Sequence, residues 1–214
     1  MSGPAGSGMR QHSDSPRIIG VNGIRSGGEK NTDLLLGALH GLGHGVVDFD
    51  YGEVGFFTAR SVSRQKAIGH RLRETSRPGD HVIAHSYGGL VTLRAMQAGA
   101  KFGQVFLFAP AMNSDFTFPL DAATHIWIFH CPSDLALIGG ALLVKHAFGS
   151  LGRVGYKGPA DARVHNVKVP SQFLAHSAYF SQRQLAHWSV FIDARLREGT
   201  APAATGPAGI PARD

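Results

Sequence analysis

Apolar residues along this chain fall into two patterns that take turns. Short runs with little polar interruption recur at Arg17 to Val21, Val46 to Tyr51, His81 to His85, Val105 to Ala109, Ile126 to His130 and Val164 to Val169. Such runs fit strands that are buried on both faces of a sheet. Between them lie longer segments with apolar residues three and four apart. Asn31 to Leu42 places Leu34, Leu35, Ala38, Leu39 and Leu42 on one stripe, with Gly43 just past its end, the signature of a helix and its stop. Ala59 to Arg77 has the same character and ends before Pro78-Gly79, and Tyr87 to Ala98, Leu135 to Phe148 and Gln182 to Arg197 complete the set. The alternation predicts an α/β fold: a mainly parallel sheet covered by helices on both faces, a three-layer α/β/α sandwich.

Composition refines this picture in two places. Glycine makes up 28 of 214 residues, nearly twice the usual share of roughly 7%. Residues 1–16 and 199–214 hold only 6 of those 28 glycines but 5 of the 11 prolines, and they carry no net charge. They are expected to be flexible tails flanking one domain over residues 17–198, whose own glycines then mark turns and close backbone approaches. The second feature is a net charge of +6. Thr58 to Arg77 supplies +5 of it, with Arg60, Arg64, Lys66, Arg71, Arg73 and Arg77 against Glu74 alone. Ile68 and Leu72 within that segment make it the solvated outer face of a helix. No aromatic residues are interleaved for base stacking, so nucleic acid is not an expected partner.

Cys131 is the only cysteine, so no internal disulfide can form. No segment approaches the roughly 20 apolar residues that span a bilayer, and the N-terminus has no apolar run of a secretory signal. A cytoplasmic location without a membrane span is expected. The twelve histidines form no paired motif such as His-Glu-x-x-His, and no phosphate-binding loop with a following Lys-Ser/Thr is present, so neither metal nor cofactor is expected.

The chemistry concentrates in Val82-Ile83-Ala84-His85-Ser86-Tyr87-Gly88-Gly89-Leu90-Val91. A serine on a tight strand-to-helix turn needs small residues two positions before and after it, because the backbone there packs closely against its neighbours. Ala84 and Gly88 fill those positions. The turn presents the Ser86 hydroxyl above the sheet, at a helix N-terminus whose free N–H groups favour negative charge.

This Ala-x-Ser-x-Gly segment resembles the nucleophile turn of the α/β-hydrolase superfamily, and the resemblance spans roughly residues 17–198. The family order of serine, then acid, then histidine directs attention downstream. Two carboxylates lie just beyond strand ends: Asp134 after Ile126 to His130, and Asp115 after Val105 to Ala109. The resemblance favours Asp134 and leaves Asp115 as the alternative; either can also simply cap the helix that follows. His176 lies between the last strand and the final helix, where the family carries its general base. His165 falls inside a strand and His187 inside a helix, and His85 is expected to point elsewhere.

The implied reaction is hydrolysis of a carboxylic ester or thioester through an acyl-enzyme on Ser86, with His176 as base and Asp134 orienting it. The implied oxyanion donors are the backbone N–H of Tyr87 and one from the loop Asn22-Gly23-Ile24, with Ile24 the candidate and Gly23 allowing the approach. Only Ala111 to Thr124 connects the strand after the nucleophile helix to the next strand, too short for a cap domain, which leaves the site open to a small-molecule or lipid-like ester. Phe116, Phe118, Pro119 and Leu120 in that connection suit either an acyl group or the core. The segment from Asp134 to His176 is longer and rich in glycine, a length that suits a lid or small extension. Ala84 and Asn22 depart from the commonest family residues, and a hydrolase-fold binding or scaffolding protein with weak or no activity is the alternative function. Oligomeric state is not encoded in these features.

Overall fold

A strand covered on both sides sends alternate side chains into two different layers, and the four inner strands of this chain do so. A computed structural model of the protein describes residues 15–24, 31–55, 58–134, 137, 149–170 and 176–198. Its strands are β1 (Ile18–Val21), β2 (Val46–Asp48), β3 (His81–His85), β4 (Phe102–Phe108), β5 (Ala123–His130) and β6 (Val164–Lys168). They form one sheet in the order β2-β1-β3-β4-β5-β6, and every neighbouring pair is parallel. The helices are α1 (Asp33–Gly41), α2 (Val62–Thr75), α3 (Tyr87–Gln97), the single turn α4 (Leu151–Val154) and α5 (Gln182–Glu198).

On one face Ile19, Val21, Val82, Ala84, Val105, Leu107, Ile126 and Ile128 pack with Ile68 and Leu72 of α2 and Val91 and Leu93 of α3. On the other, Ile18, Ile83, Phe106, Phe108 and Phe129 meet Leu35, Leu36 and Leu39 of α1 and Trp188, Ile192 and Leu196 of α5. The three-layer α/β/α sandwich is therefore present, and each fully buried aliphatic or aromatic side chain contributes about 1.5–3 kcal/mol to it. The second layer is dense in rings: Phe108 stacks on Phe129 at 4.3 Å, and Trp188 meets Phe129 edge-on at 5.0 Å.

At the N-terminal edge of the sheet, Asp80 ties β1 to the turn before β3. Its carboxylate is 1% exposed and 2.6 Å from the Arg17 guanidinium, and it accepts the backbone N–H groups of Arg17 and Arg77, each at 2.9 Å. Burial alone would raise this carboxyl, but the hydrogen bonds from Arg17 and Arg77, together with the Arg17 charge, outweigh burial and hold it below its ordinary range.

Several boundaries differ from the pattern of the sequence. β4 and β5 each begin three residues earlier than the apolar runs suggested, because Gly103 and Thr124 interrupt the run without leaving the sheet. β2 stops at Asp48; Phe49 and Tyr51 leave the ladder and turn into the core. On α1 the buried stripe is Leu35, Leu36 and Leu39, while Leu34 and Leu42 are exposed. The basic segment divides into a turn of 3-10 helix at Thr58–Arg60 and α2, and its six cationic side chains are all exposed. Phe118 is buried against the Tyr156 ring at 5.4 Å, and Phe116 and Leu120 pack on the core, so the short connection lines the core. The expected helix at 135–148 lies, Leu137 apart, outside the described residues, as do nearly all of both expected tails. Among the described residues no helix is long and apolar enough to cross a membrane.

Candidate active site

The chain order reverses beside β1, which lies between β2 and β3. In an open parallel sheet, the crevice beyond the carboxyl ends of the strands at such a reversal is where ligands bind. Both the Asn22-Gly23-Ile24 loop, after β1, and Ser86, after β3, lie at this edge.

Ser86 has φ 53 and ψ −120, a conformation that side-chain-bearing residues rarely adopt and that costs of order 1–3 kcal/mol. Backbone bonds on both sides hold it: the Ser86 N–H donates to the Phe108 carbonyl, and its own carbonyl accepts from Gly89 and Ala111, all at 3.0 Å. Gly88 makes the turn possible, since a Cβ there would collide with the Val21 carbonyl oxygen and stand 2.7 Å from that of Asn22. Ala84 is fully buried in the layer under α2 and α3, and its methyl group is accommodated there.

The second element is an acid–imidazole pair. His176 Nδ1 and Asp134 Oδ2 are 2.7 Å apart, and the carboxylate is 1% exposed. Asp134 Oδ1 accepts the Leu137 N–H at 3.1 Å, so one oxygen caps the chain that follows while the other faces the histidine. Asp115, the alternative acid, sits exposed in the turn after β4 and makes no hydrogen bond to His176 among the described residues. Nor does a hydrogen bond join the Ser86 hydroxyl to His176 there. His165 lies away from this edge, with its Nε2 3.0 Å from His125 Nδ1 and its ring stacked on Trp127 at 4.0 Å.

The third element is the loop after β1. A Cβ on Gly23 would stand 3.2 Å from Ser86 Cβ, so this backbone passes directly beside the serine. Asn22 organises the loop with its carboxamide: Oδ1 accepts the Thr32 N–H at 3.1 Å. Ile24 packs against both apolar layers, and Tyr87 opens α3 from a buried position.

Two further side chains near the site differ from the sequence reading: Tyr51 was not singled out, and His85 was expected to point elsewhere. Tyr51 Oη donates to the Asn22 and Gly23 carbonyls at 2.7 and 2.8 Å, and burial raises its phenol well above the ordinary value. His85 does not point away from the site: its Nε2 lies 3.2 Å from the His176 carbonyl oxygen, and its Nδ1 lies 3.2 Å from Asn31 Nδ2. The only local hint was a polar side chain at the end of an apolar strand. Among the described residues, no group of three or more His, Cys, Asp or Glu is placed to hold a metal ion.

The sheet order, the strained serine between β3 and α3, and the flanking helices define the α/β-hydrolase fold, and this chain has it. Among solved structures it is similar to alpha/beta hydrolase domain-containing protein 10 from mouse, with a TM-score of 0.59 and 14% identity over 86% of this chain and 91% of that one. An α/β-superfamily protein from Xanthomonas campestris pv. campestris aligns with a TM-score of 0.45 and 18% identity over 84% and 99% of the two chains. The pyrethroid hydrolase PytH aligns with a TM-score of 0.43 and 12% identity over 86% and 99%. No protein-family model matches the sequence, and no curated protein matches it.

Proposed function

We propose that the protein is a serine hydrolase that cleaves carboxylic esters or thioesters, with residues 17–198 as its catalytic domain. The observation that carries this reading is the 2.7 Å pairing of His176 Nδ1 with buried Asp134 at the same sheet edge as the strained Ser86. With its Nδ1–H donated to a carboxylate, the imidazole keeps its Nε2 lone pair available to take a proton. Nε2 removes the Ser86 hydroxyl proton as Oγ bonds to the substrate carbonyl carbon. The tetrahedral oxyanion is met by the Tyr87 N–H and the Ile24 N–H, with Gly23 allowing the approach, each donor being worth about 3–4 kcal/mol in the transition state. Collapse breaks the bond to the leaving alcohol or thiol, which departs with the proton from His176. Water then gives its proton to His176 and attacks the acyl-enzyme, releasing the acid and restoring Ser86. The contact between serine and base tightens when substrate is in place.

The test is turnover of p-nitrophenyl esters and acyl thioesters of graded chain length, together with labelling by a fluorophosphonate. Wild type is expected to turn over at least one series and to be labelled, and Ser86→Ala to do neither. Equal labelling of the two proteins would remove Ser86 from the mechanism.

A further inference from the structure

His85 directly precedes the nucleophile, yet its side chain serves a different loop and takes no part in the proton transfers above. It closes β3 in a buried position. Asn31 Nδ2, an amide nitrogen that only donates, lies 3.2 Å from its Nδ1. Nδ1 therefore carries the lone pair and Nε2 the proton. That Nε2–H donates to the main-chain carbonyl of His176 at 3.2 Å. The two imidazoles lie 4.7 Å apart at 45°, and Phe180 meets the His85 ring at 5.1 Å and 78°. On the side of β1, a Cβ on Gly23 would stand 3.4 Å from His85 Nδ1, so the loop beside Ser86 rests on the same ring. Burial, reinforced by the His176 charge, pushes the imidazole down to about 3. It is neutral throughout the neutral range.

We propose that His85 is a positioning residue for His176: its Nε2–H anchors the main chain of the general base, and its Nδ1 ties that anchor to Asn31 and the loop beside Gly23. The inference rests on the serine-hydrolase reading above. The hydrogen bond ends on the carbonyl of His176 itself, so losing it displaces the imidazole that must meet Ser86, and a misplacement of about 1 Å in such a group can cost about 100-fold in rate. The His85 side chain is buried, so its loss is expected to appear in kcat with KM little changed.

The experiment compares wild type, His85→Phe and His85→Gln. Phenylalanine keeps a ring between His176 and Phe180 but removes the donor, whereas the glutamine amide nitrogen can restore it. For His85→Phe, kcat is expected to fall about tenfold or more with KM nearly unchanged, and His85→Gln to recover most of the loss. Long-range 1H–15N spectra of wild type at neutral pH are expected to show His85 as the Nε2–H tautomer, and the His176 ring signals to shift in His85→Phe. An unchanged kcat in a folded His85→Phe, or an Nδ1–H tautomer for His85 in wild type, overturns the proposal. Absence of both turnover and Ser86-dependent labelling in wild type instead overturns the hydrolase reading; the tautomer and the His176 signals then still decide whether His85 anchors His176.

Discussion

Tyr51 Oη stands 2.8 Å from the Gly23 carbonyl oxygen and 2.7 Å from that of Asn22, so a single phenol just past the end of β2 holds the loop that passes beside Ser86. A carbonyl held in this way fixes the direction of the N–H that follows it, because the peptide unit is planar.

Tyr51→Phe removes only that hydroxyl. It should cost about 1 kcal/mol of stability, the usual net worth of a hydrogen bond, and should lower kcat for ester hydrolysis while Ser86 remains labelled by fluorophosphonate, more slowly. Steady-state kinetics beside a thermal melt separate the two effects. A variant that melts lower but turns over at the wild-type rate would show that the loop keeps its geometry without the phenol.

Ser86→Gly should make the protein more stable. Glycine adopts φ 53, ψ −120 without the clash that a Cβ brings, and relief of about 1 kcal/mol corresponds to roughly 2–4 °C in a chain of this size. Ser86→Ala keeps the Cβ and should melt with wild type. Both should lack hydrolase activity. If the glycine variant melts no higher than the alanine variant, the turn carries no such strain.

Asp134→Asn separates the two tasks of this side chain. The amide oxygen can still accept the Leu137 N–H, but the amide nitrogen then faces His176 Nδ1 and forces the proton onto Nε2, the wrong tautomer for a base. A fall in kcat of about 10,000-fold is expected, the size seen when a triad aspartate becomes asparagine, with the fold retained by circular dichroism. Asp115→Asn, in the exposed turn after β4, should leave kcat unchanged; a large loss there would reassign the acid.

The Arg17–Asp80 tie should shape acid stability. The Asp80 carboxyl titrates below its ordinary range when folded, so the folded state binds fewer protons than the unfolded chain as pH approaches 4. The stabilisation is fully present above the unfolded value of about 3.9 and is lost as pH falls through the lower folded value. Asp80→Asn leaves Arg17 partly buried without its counter-ion, which costs about 3 kcal/mol or more at pH 7. Denaturant melts from pH 7 to pH 2.5 should show the gap between wild type and Asp80→Asn closing below about pH 4. A gap independent of pH would mean that the carboxylate charge contributes nothing.

Much of this arrangement was legible in the sequence, and the rest was hidden for identifiable reasons. Buried parallel strands read as apolar runs, so the layers and the place of Ser86 followed from periodicity and from the small residues Ala84 and Gly88. Asp134 and His176 came from chain order at strand ends, and the structure places them 2.7 Å apart, whereas the exposure of Asp115 shows only in space. The role of Tyr51 and the direction of His85 were missed because their partners lie 28 and 91 residues away, and no local pattern encodes such a contact. The exposed Leu34 and Leu42 show the limit of a stripe read on one helix: α1 is turned by the wall of rings and aliphatic groups it faces, with Leu36 taking the inward place.

Among the described residues the sheet contains no hairpin. Every pairing among these strands is parallel, and that of β1 with β3 joins Ile18 to His81 across more than sixty residues of intervening chain. Closing such loops precedes any reward from pairing, so chains of this topology fold slowly relative to those built on local contacts. The proposed site of Ser86, Asp134 and His176 is complete only after β3, β5 and the approach to α5 have all docked. In refolding from denaturant, helical signal should therefore return first and ester turnover last, which makes activity a reporter for the final step of assembly.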